Sequence, residues 1–449
     1  MQDLTTGPVT RHLLKTSGFM LVTMVVQTLY FLVDLYWVGH LGTDAVAAVG
    51  ITGNLNFIVL ALTQMLGVGT TTLVSHAAGR KDHDYGLRVF NQSQVLSTLA
   101  GLALFVVCMA TRTAYTSAVG ADAGTAALAD DYLVWFIPAM ALQFVMVAMG
   151  SALRGLGQFK PGMVVSTSSV FINMVLAPFL IFGWGTGHPL GVAGAAISTL
   201  VSVAIAVVWL TMYFVQKDAF LTFTPRRWAP DFALWRKLLA IGLPSGMEFM
   251  LTAVYLLVVY TIIKPFGAEA QAAFGIGGRV VQAGFMPVVA LGFSVAPVAG
   301  QNVGAKLGAR VREVYRSATI LAAIAMALFA LLCSLVPQAL VGLFPHDPAP
   351  VAIATEYLQI VAWSFVGSGV VFVNSSMFQA LGNTVPSLAT SAVRLLVVVA
   401  PSIILSTRGG FAMRQIWLLS VASVYLQLVL GSWLVRREMT KTLGAAVTA

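Results

Sequence analysis

The second half of this chain repeats the first at a shift of 225 residues, as in Gly42 and Gly267 or Gly157 and Gly382. Leu13 and Leu14 return as Leu238 and Leu239, Tyr30 as Tyr255, and the run Ala47, Ala48, Gly50, Ile51 as Ala272, Ala273, Gly275, Ile276. The register then holds without a gap: Leu66 and Gly67 match Leu291 and Gly292, Gly79 and Lys81 match Gly304 and Lys306, Cys108 matches Cys333, and Pro161 matches Pro386. The matched positions are dominated by glycine, proline and apolar residues, which set backbone paths and packing faces. The repeat therefore predicts two structural copies of one unit.

Composition says where such a unit can exist. With 58% hydrophobic and 9% charged residues, too few polar groups are available to coat a soluble globule of this size. Apolar stretches of the ~20 residues needed to cross a hydrocarbon core fall near 16–38, 46–75, 93–111, 132–153, 162–183 and 191–214. The second set falls near 238–262, 272–301, 317–342, 356–379, 387–407 and 415–435. The runs are continuously apolar rather than alternating, which favours helices over a barrel. The expected fold is all-α and integral to the membrane: twelve transmembrane helices in two parallel-repeat six-helix bundles.

Six spans per copy return each half to its starting face, and Lys and Arg mark the cytoplasmic one. Nineteen of the 25 basic residues gather on one side, including Arg11, Lys15, Arg80, Lys81, Arg88, Arg154, Lys160, Lys217, Arg226, Arg227, Lys306, Arg310 and Arg436. Arg112, Lys264, Arg408 and Arg414 lie on the other. Both termini are thus expected in the cytoplasm, with an N-terminal bundle over 1–215, a cytoplasmic linker over 216–236 and a C-terminal bundle over 237–449. The net charge of +9 then reports topology and contact with the lipid bilayer, not a nucleic-acid partner. No cleaved signal peptide is expected. Cys108 and Cys333 read as small buried residues, and no cofactor motif, zinc spacing or nucleophile motif appears.

If the halves are copies, polar residues at which they differ within the spans carry information. Asp34, in LYFLVDLYW, corresponds to Val259. A carboxylate there costs ~2.5–3.5 kcal/mol on insertion scales unless it faces a cavity or a partner, so Asp34 is the first candidate for binding a proton or a cation. Asn173 in the fifth span and Thr199 in the sixth add neutral oxygens, suiting the three to Na⁺ or to a proton relay. Either residue could equally be a hydrogen bond between helices. Tyr30, one turn before Asp34, can reach the carboxylate but reads mainly as packing. In the second half, Glu248 replaces Thr23 and Arg279 replaces Asn54. They pair with each other or line a substrate path. Arg394 is expected to snorkel.

Over essentially its whole length the chain resembles the multidrug and toxic compound extrusion (MATE) transporters. The resemblance rests on VDLYWVGHLG around Asp34, SHAAGRK with its internal match GQNVGAK, SALRGLGQFKPGM with its echo SMFQALGNTVPS, and GVAGAAISTLVS. It implies a V-shaped pair of six-helix bundles exporting amphipathic, mostly cationic organic compounds in exchange for H⁺ or Na⁺. It also implies that Asp34, Asn173 and Thr199 match the family's cation site, a possible Na⁺ site. Ala177 stands where the DinF-like branch often has an aspartate. Thr252 and Ser368 stand where another branch has acids, so the second half looks DinF-like.

The resemblance implies no enzyme activity and no cofactor beyond the coupling ion. It places the protein as a multi-pass monomer in the bacterial inner membrane, working by alternating access. A Met- and aromatic-rich cleft lining is expected, with Tyr30, Met149, Met174, Glu248, Tyr255 and Arg279 as its candidates. The alternative is a lipid-linked oligosaccharide flippase of the same wider superfamily, which would want a more cationic cleft than Arg279 alone provides.

Overall fold

A computed structural model of the chain describes residues 2–185, 187–216, 220–342, 348–406 and 411–444. Lys217 and Arg408, counted above among the basic residues, lie outside them. Among the described residues there is no strand, and twelve helical spans are long and apolar enough to cross a membrane. The first half forms α1 (Val9–Gly39), α2 (Thr43–Arg80), α3 (His83–Val119), α4 (Ala123–Gly155), α5 (Phe159–Phe182) and α6 (Gly191–Gln216). The second forms α7 (Phe232–Ile263), α8 (Ala268–Gly304), α9 (Gly308–Leu335), the short α10 (Pro337–Val341), α11 (Pro348–Val361), α12 (Phe365–Leu381), α13 (Val385–Ser406) and α14 (Met413–Leu443). Most spans run longer than their apolar runs, and at two of them a capping carboxylate sets the start. Asp82 accepts from the Tyr85 amide (3.0 Å) to start α3, and Asp122 from the Thr125 amide (2.7 Å) to start α4.

The tenth span departs from the single helix expected over 356–379. It runs Pro350–Leu381 and is broken by a 3-10 turn at Ala362–Ser364 that separates α11 from α12. Ser364 Oγ donates to the Val361 carbonyl (2.7 Å), a local bond that competes with the helical ladder at the break. The ninth span also ends earlier than expected, at Leu335, where Pro337 opens α10 and cannot continue the preceding helix.

The duplication is visible in the backbone. Just past the ends of α2 and α8 stands a lysine in left-handed conformation, Lys81 and Lys306, each with φ 58°. The amides that follow fold back identically: Asp82 N to Ala77 O at 2.9 Å, Leu307 N to Asn302 O at 2.9 Å. After α4 and α12 the same role falls to Gly157 (φ 73°) and Gly382 (φ 79°), again 225 residues apart.

The chain divides into two compact units. Unit 1 comprises Met1–Asp3 and Phe19–Gly242, and unit 2 comprises Leu4–Gly18 and Leu243–Ala449. The opening stretch of α1 thus belongs to unit 2, and that of α7 to unit 1. In unit 2, Leu4, Val9 and Leu13 are fully buried with Val295, Val298 and Phe378. The Leu4 amide donates to Gln301 Oε1 (3.0 Å), Asn302 Nδ2 donates to the Leu4 carbonyl (3.2 Å), and Arg310 donates to the Gly7 carbonyl (2.9 Å). In unit 1, Leu238 and Ile241 join a core with Val68, Leu73, Phe90, Met149 and Phe214. The approach of α7 to α2 is close enough to require glycine: a Cβ on Gly69 would sit 2.5 Å from the Leu238 carbonyl oxygen, and one on Gly242 would collide with the Met65 carbonyl.

The segment before α7 is strapped along α3. Asn91 donates to the Thr222 carbonyl (3.0 Å) and accepts from the Thr224 amide (2.8 Å) and Trp228 Nε1 (3.1 Å). Gln92 donates to the carbonyls of Arg227 (2.6 Å) and Ala229 (2.7 Å), and accepts from the Asp231 amide (3.0 Å) and Trp235 Nε1 (2.8 Å). Ion pairs Arg88–Asp231 and Arg227–Asp84 flank this row.

Candidate functional site

In α1, Tyr30, Asp34 and Val38 succeed one another at one-turn spacing, so they share a helix face. Val38 is fully buried, whereas Leu32 and Leu35 on other faces are exposed on the protein's own surface. Asp34 is therefore carried inward with Tyr30. Its Oδ1 is buried and has no hydrogen-bond partner, an unusual state for a carboxylate oxygen. Tyr30 lies one turn before it on the same face, and Tyr132 belongs to α4. Tyr132 is buried and packs on Phe136 with ring centroids 4.9 Å apart.

A hydrogen-bonded row lies beside it. Asn173 of α5 donates through Nδ2 to Thr199 Oγ1 (3.1 Å) and Ser198 Oγ (3.3 Å) of α6. Thr199 gives its own proton to the Ala195 carbonyl one turn back (3.1 Å), so the contact with the Tyr30 hydroxyl (3.2 Å) has Tyr30 as donor. The fully buried Ala195 and Ala196 keep α6 slim on the side that carries Thr199. Tyr30, Asn173 and Thr199 are thus brought together directly. Asp34 is tied to them through its neighbour Tyr30 rather than by a hydrogen bond to Asn173 or Thr199. The Asn173 amide hydrogens are committed, which leaves its carbonyl oxygen as the group able to meet an ion. At the end of α1, Trp37 makes edge contacts with Phe182 (6.1 Å) and Trp184 (5.9 Å), an aromatic group of the kind found at a membrane interface.

The other sequence candidates fall elsewhere. Met149 is fully buried in the unit 1 core, with the Thr211 hydroxyl 3.9 Å from its sulfur, and Met174 is half-buried on α5. In unit 2, the Tyr255 hydroxyl meets Ser420 Oγ (2.9 Å), and the Arg394 guanidinium lies over the Tyr255 ring, 5.3 Å from its centroid. Arg279 is exposed on α8 and forms no ion pair with Glu248. Glu248 is instead held by three serines. Oε2 accepts from Ser375 of α12 (3.0 Å) and Ser387 of α13 (2.9 Å), and Oε1 accepts from Ser391 of α13 (3.1 Å). Among the described residues, no group of three or more His, Cys, Asp or Glu side chains could hold a metal.

Fold and site together define a multi-pass, all-helical membrane protein built by duplication, with a carboxylate set among the helices of its first half. The MatE family model matches residues 20–179 and again 244–404, once in each copy, and the chain belongs to that family; it is a transporter, not an enzyme. It is 28% identical over 367 residues to the multidrug export protein MepA of Staphylococcus haemolyticus, covering 81% of this chain and 79% of that protein. The same figures hold for the probable multidrug resistance protein YoeA of Bacillus subtilis. Among solved structures, a MOP superfamily transporter from Pyrococcus furiosus superposes with a TM-score of 0.89 at 23% identity, covering 98% of both chains. A MATE structure in a bent conformation reaches 0.91, also at 23% identity, over 98% of this chain and 97% of that one.

Proposed function

We propose that this chain is a multidrug efflux antiporter that expels amphipathic, mostly cationic organic compounds in exchange for H⁺ or Na⁺ by alternating access. The relatives that align over four-fifths of the chain are a multidrug export protein and a probable multidrug resistance protein, which supports the substrate class. The observation that carries the coupling is the buried, unpartnered oxygen of Asp34, one turn from the Tyr30 that joins a row of amide and hydroxyl groups. A proton or Na⁺ satisfies that oxygen and removes the charge, and loss of the ion restores it. The two charge states of α1 then bias which face of the transporter is open.

A membrane potential of ~100 mV supplies ~2.3 kcal/mol per charge moved. At ~1.4 kcal/mol per decade this sustains roughly a 40-fold gradient, sufficient for a defence pump. The working location is the bacterial inner membrane with both termini in the cytoplasm, and the chain acts as a monomer without a cofactor. Tyr30, Met174, Glu248, Tyr255 and Arg279 remain the proposed contributors to the substrate path, whereas Met149, fully buried in the unit 1 core, is not one.

The test is export of a fluorescent organic cation from proteoliposomes under separately imposed pH and Na⁺ gradients. One gradient drives wild-type export, and Asp34→Asn abolishes that drive while the protein stays folded. Undiminished uphill export by Asp34→Asn refutes the coupling role. Lipid scrambling without drug export points to a flippase instead.

A further inference from the structure

We propose that Arg394, within unit 2, is a receptor for a carboxylate, so that the transporter takes zwitterionic organic substrates as well as simple cations. The proposal rests on the reading of the chain as a drug exporter and adds a residue that selects among its substrates.

Arg394 stands nine residues into α13 (Val385–Ser406), about 14 Å along the helix from its start and about 18 Å from its end. The expected snorkelling is not seen: the guanidinium lies over the Tyr255 ring of α7, 5.3 Å from its centroid. Tyr255 is itself eight residues short of the end of α7, so the charge is held deep in the span. Among the described residues Arg394 has no ion pair, and its Nε is buried with no hydrogen-bond partner. The contact with the ring leaves that N–H without an acceptor. A charge inside a membrane span that lacks both counter-ion and acceptor is expensive, and an anionic ligand supplies both.

The repeat supplies an independent argument. Tyr30 and Tyr255 are equivalent positions, and in the first copy the neighbouring charge is negative: Asp34, one turn on, where the second copy has Val259. The counterpart of Arg394 is Ser169, whose hydroxyl donates to the Ser202 carbonyl (2.9 Å). Each copy thus sets a charge without an ion pair beside the same tyrosine, and the sign is inverted. Glu248, seven residues before Tyr255, accepts from its three serines and does not neutralise Arg394. The logic that gives Asp34 a cation gives Arg394 an anion.

The donor geometry selects the ligand. The planar fork of a guanidinium takes a carboxylate through two parallel N–H···O bonds, and one positive charge balances one carboxylate. Arg394 and Tyr255 are half-buried, so the fork can be reached. The Tyr255–Ser420 hydroxyl pair (2.9 Å) spends one of its two protons on itself, leaving the other as a further donor.

The test compares a fluorescent quinolone bearing a basic amine and a carboxylate with its ethyl ester, which keeps the amine and the rings. Binding of each to the purified full chain in detergent is read by fluorescence anisotropy, and export is read in proteoliposomes under the gradient that drives the wild type. Arg394→Gln is expected to weaken acid binding by roughly tenfold or more and to leave the ester unchanged. Arg394→Lys keeps the charge but not the fork, and should weaken acid binding selectively but less. It decides the matter if Arg394→Gln fails to fold. No binding of the acid by the wild type, no effect of either variant on it, or an equal effect on acid and ester would overturn the proposal. Acid binding abolished when chloride replaces sulfate at constant ionic strength means that the site takes a small inorganic anion, which overturns the assignment too. If the acid binds through Arg394 but neither compound is exported, the carboxylate site stands and the drug-export reading fails. Export of both compounds with no dependence on Arg394 is the reverse.

Discussion

Lys81 and Lys306, 225 residues apart in sequence, hold the same left-handed backbone angle, φ 58°, at the ends of α2 and α8. A side chain bearing a Cβ pays roughly 1–2 kcal/mol for that conformation, and glycine pays part of its advantage back in chain entropy. Lys306→Gly is therefore expected to stabilise unit 2 by about 0.5–1 kcal/mol, seen as a small rise in unfolding midpoint. A lowered midpoint would mean that the lysine side chain contributes more than its backbone costs.

Gly242 leaves no room for a β-carbon against the Met65 carbonyl oxygen. Gly242→Val must push α7 off α2, with a cost of about 1–3 kcal/mol by analogy with overpacked cores. A lower midpoint and reduced yield of folded protein are expected. Gly278, inside α8 with open surroundings, is the control: Gly278→Ala should lower neither and, by helix propensity, raise the midpoint slightly.

Thr199 accepts from both Asn173 and Tyr30. Thr199→Val removes that acceptor while keeping its shape, leaving the Asn173 and Tyr30 donors short of a partner at about 1–3 kcal/mol. Coupled export is expected to fall by roughly tenfold or more, and Thr199→Ser should retain most of it. Equal activity in the two variants would show that the hydroxyl is not what matters.

Asp231 accepts from the Leu234 amide (3.1 Å) and pairs with Arg88, and both interactions hold its carboxyl below the ordinary carboxylate range. A depressed folded-state value means that the unfolded chain takes up the proton more readily. Its stabilising effect is thus complete above about pH 4 and is lost as pH falls through the folded value. The gap in unfolding midpoint between wild type and Asp231→Asn should be constant from pH 7 to about pH 5 and close below that. A gap that does not change with pH would show that the charge is not what matters.

Much of the scaffold could be read from the residues because the repeat is carried by positions that dictate backbone geometry. The four caps at Lys81, Gly157, Lys306 and Gly382 are the physical content of that match. Asp34, Asn173 and Thr199 stood out because polar groups in apolar runs are costly. Tyr132 did not, since an aromatic beside two acidic residues reads as an interfacial anchor. The partners of Glu248 were missed for a related reason: single serines are common in membrane helices, and only the fold reveals that three of them converge on one carboxylate. Pairing Glu248 with Arg279 by opposite charge had left distance out of account. The broken tenth span was equally hidden, because hydropathy does not register a 3-10 turn.

The allocation of Leu4–Gly18 to the second unit, and of the start of α7 to the first, has a consequence for how such a chain can be cut or assembled. A break near the midpoint would leave each fragment holding a piece that its partner needs and lacking one of its own. Neither fragment is a self-sufficient building block, so co-expressed halves should recover a folded product where either alone aggregates. A single-copy ancestor with this packing would have had to exist as a strand-exchanged pair, and fusion into one polypeptide would have made that mutual dependence permanent.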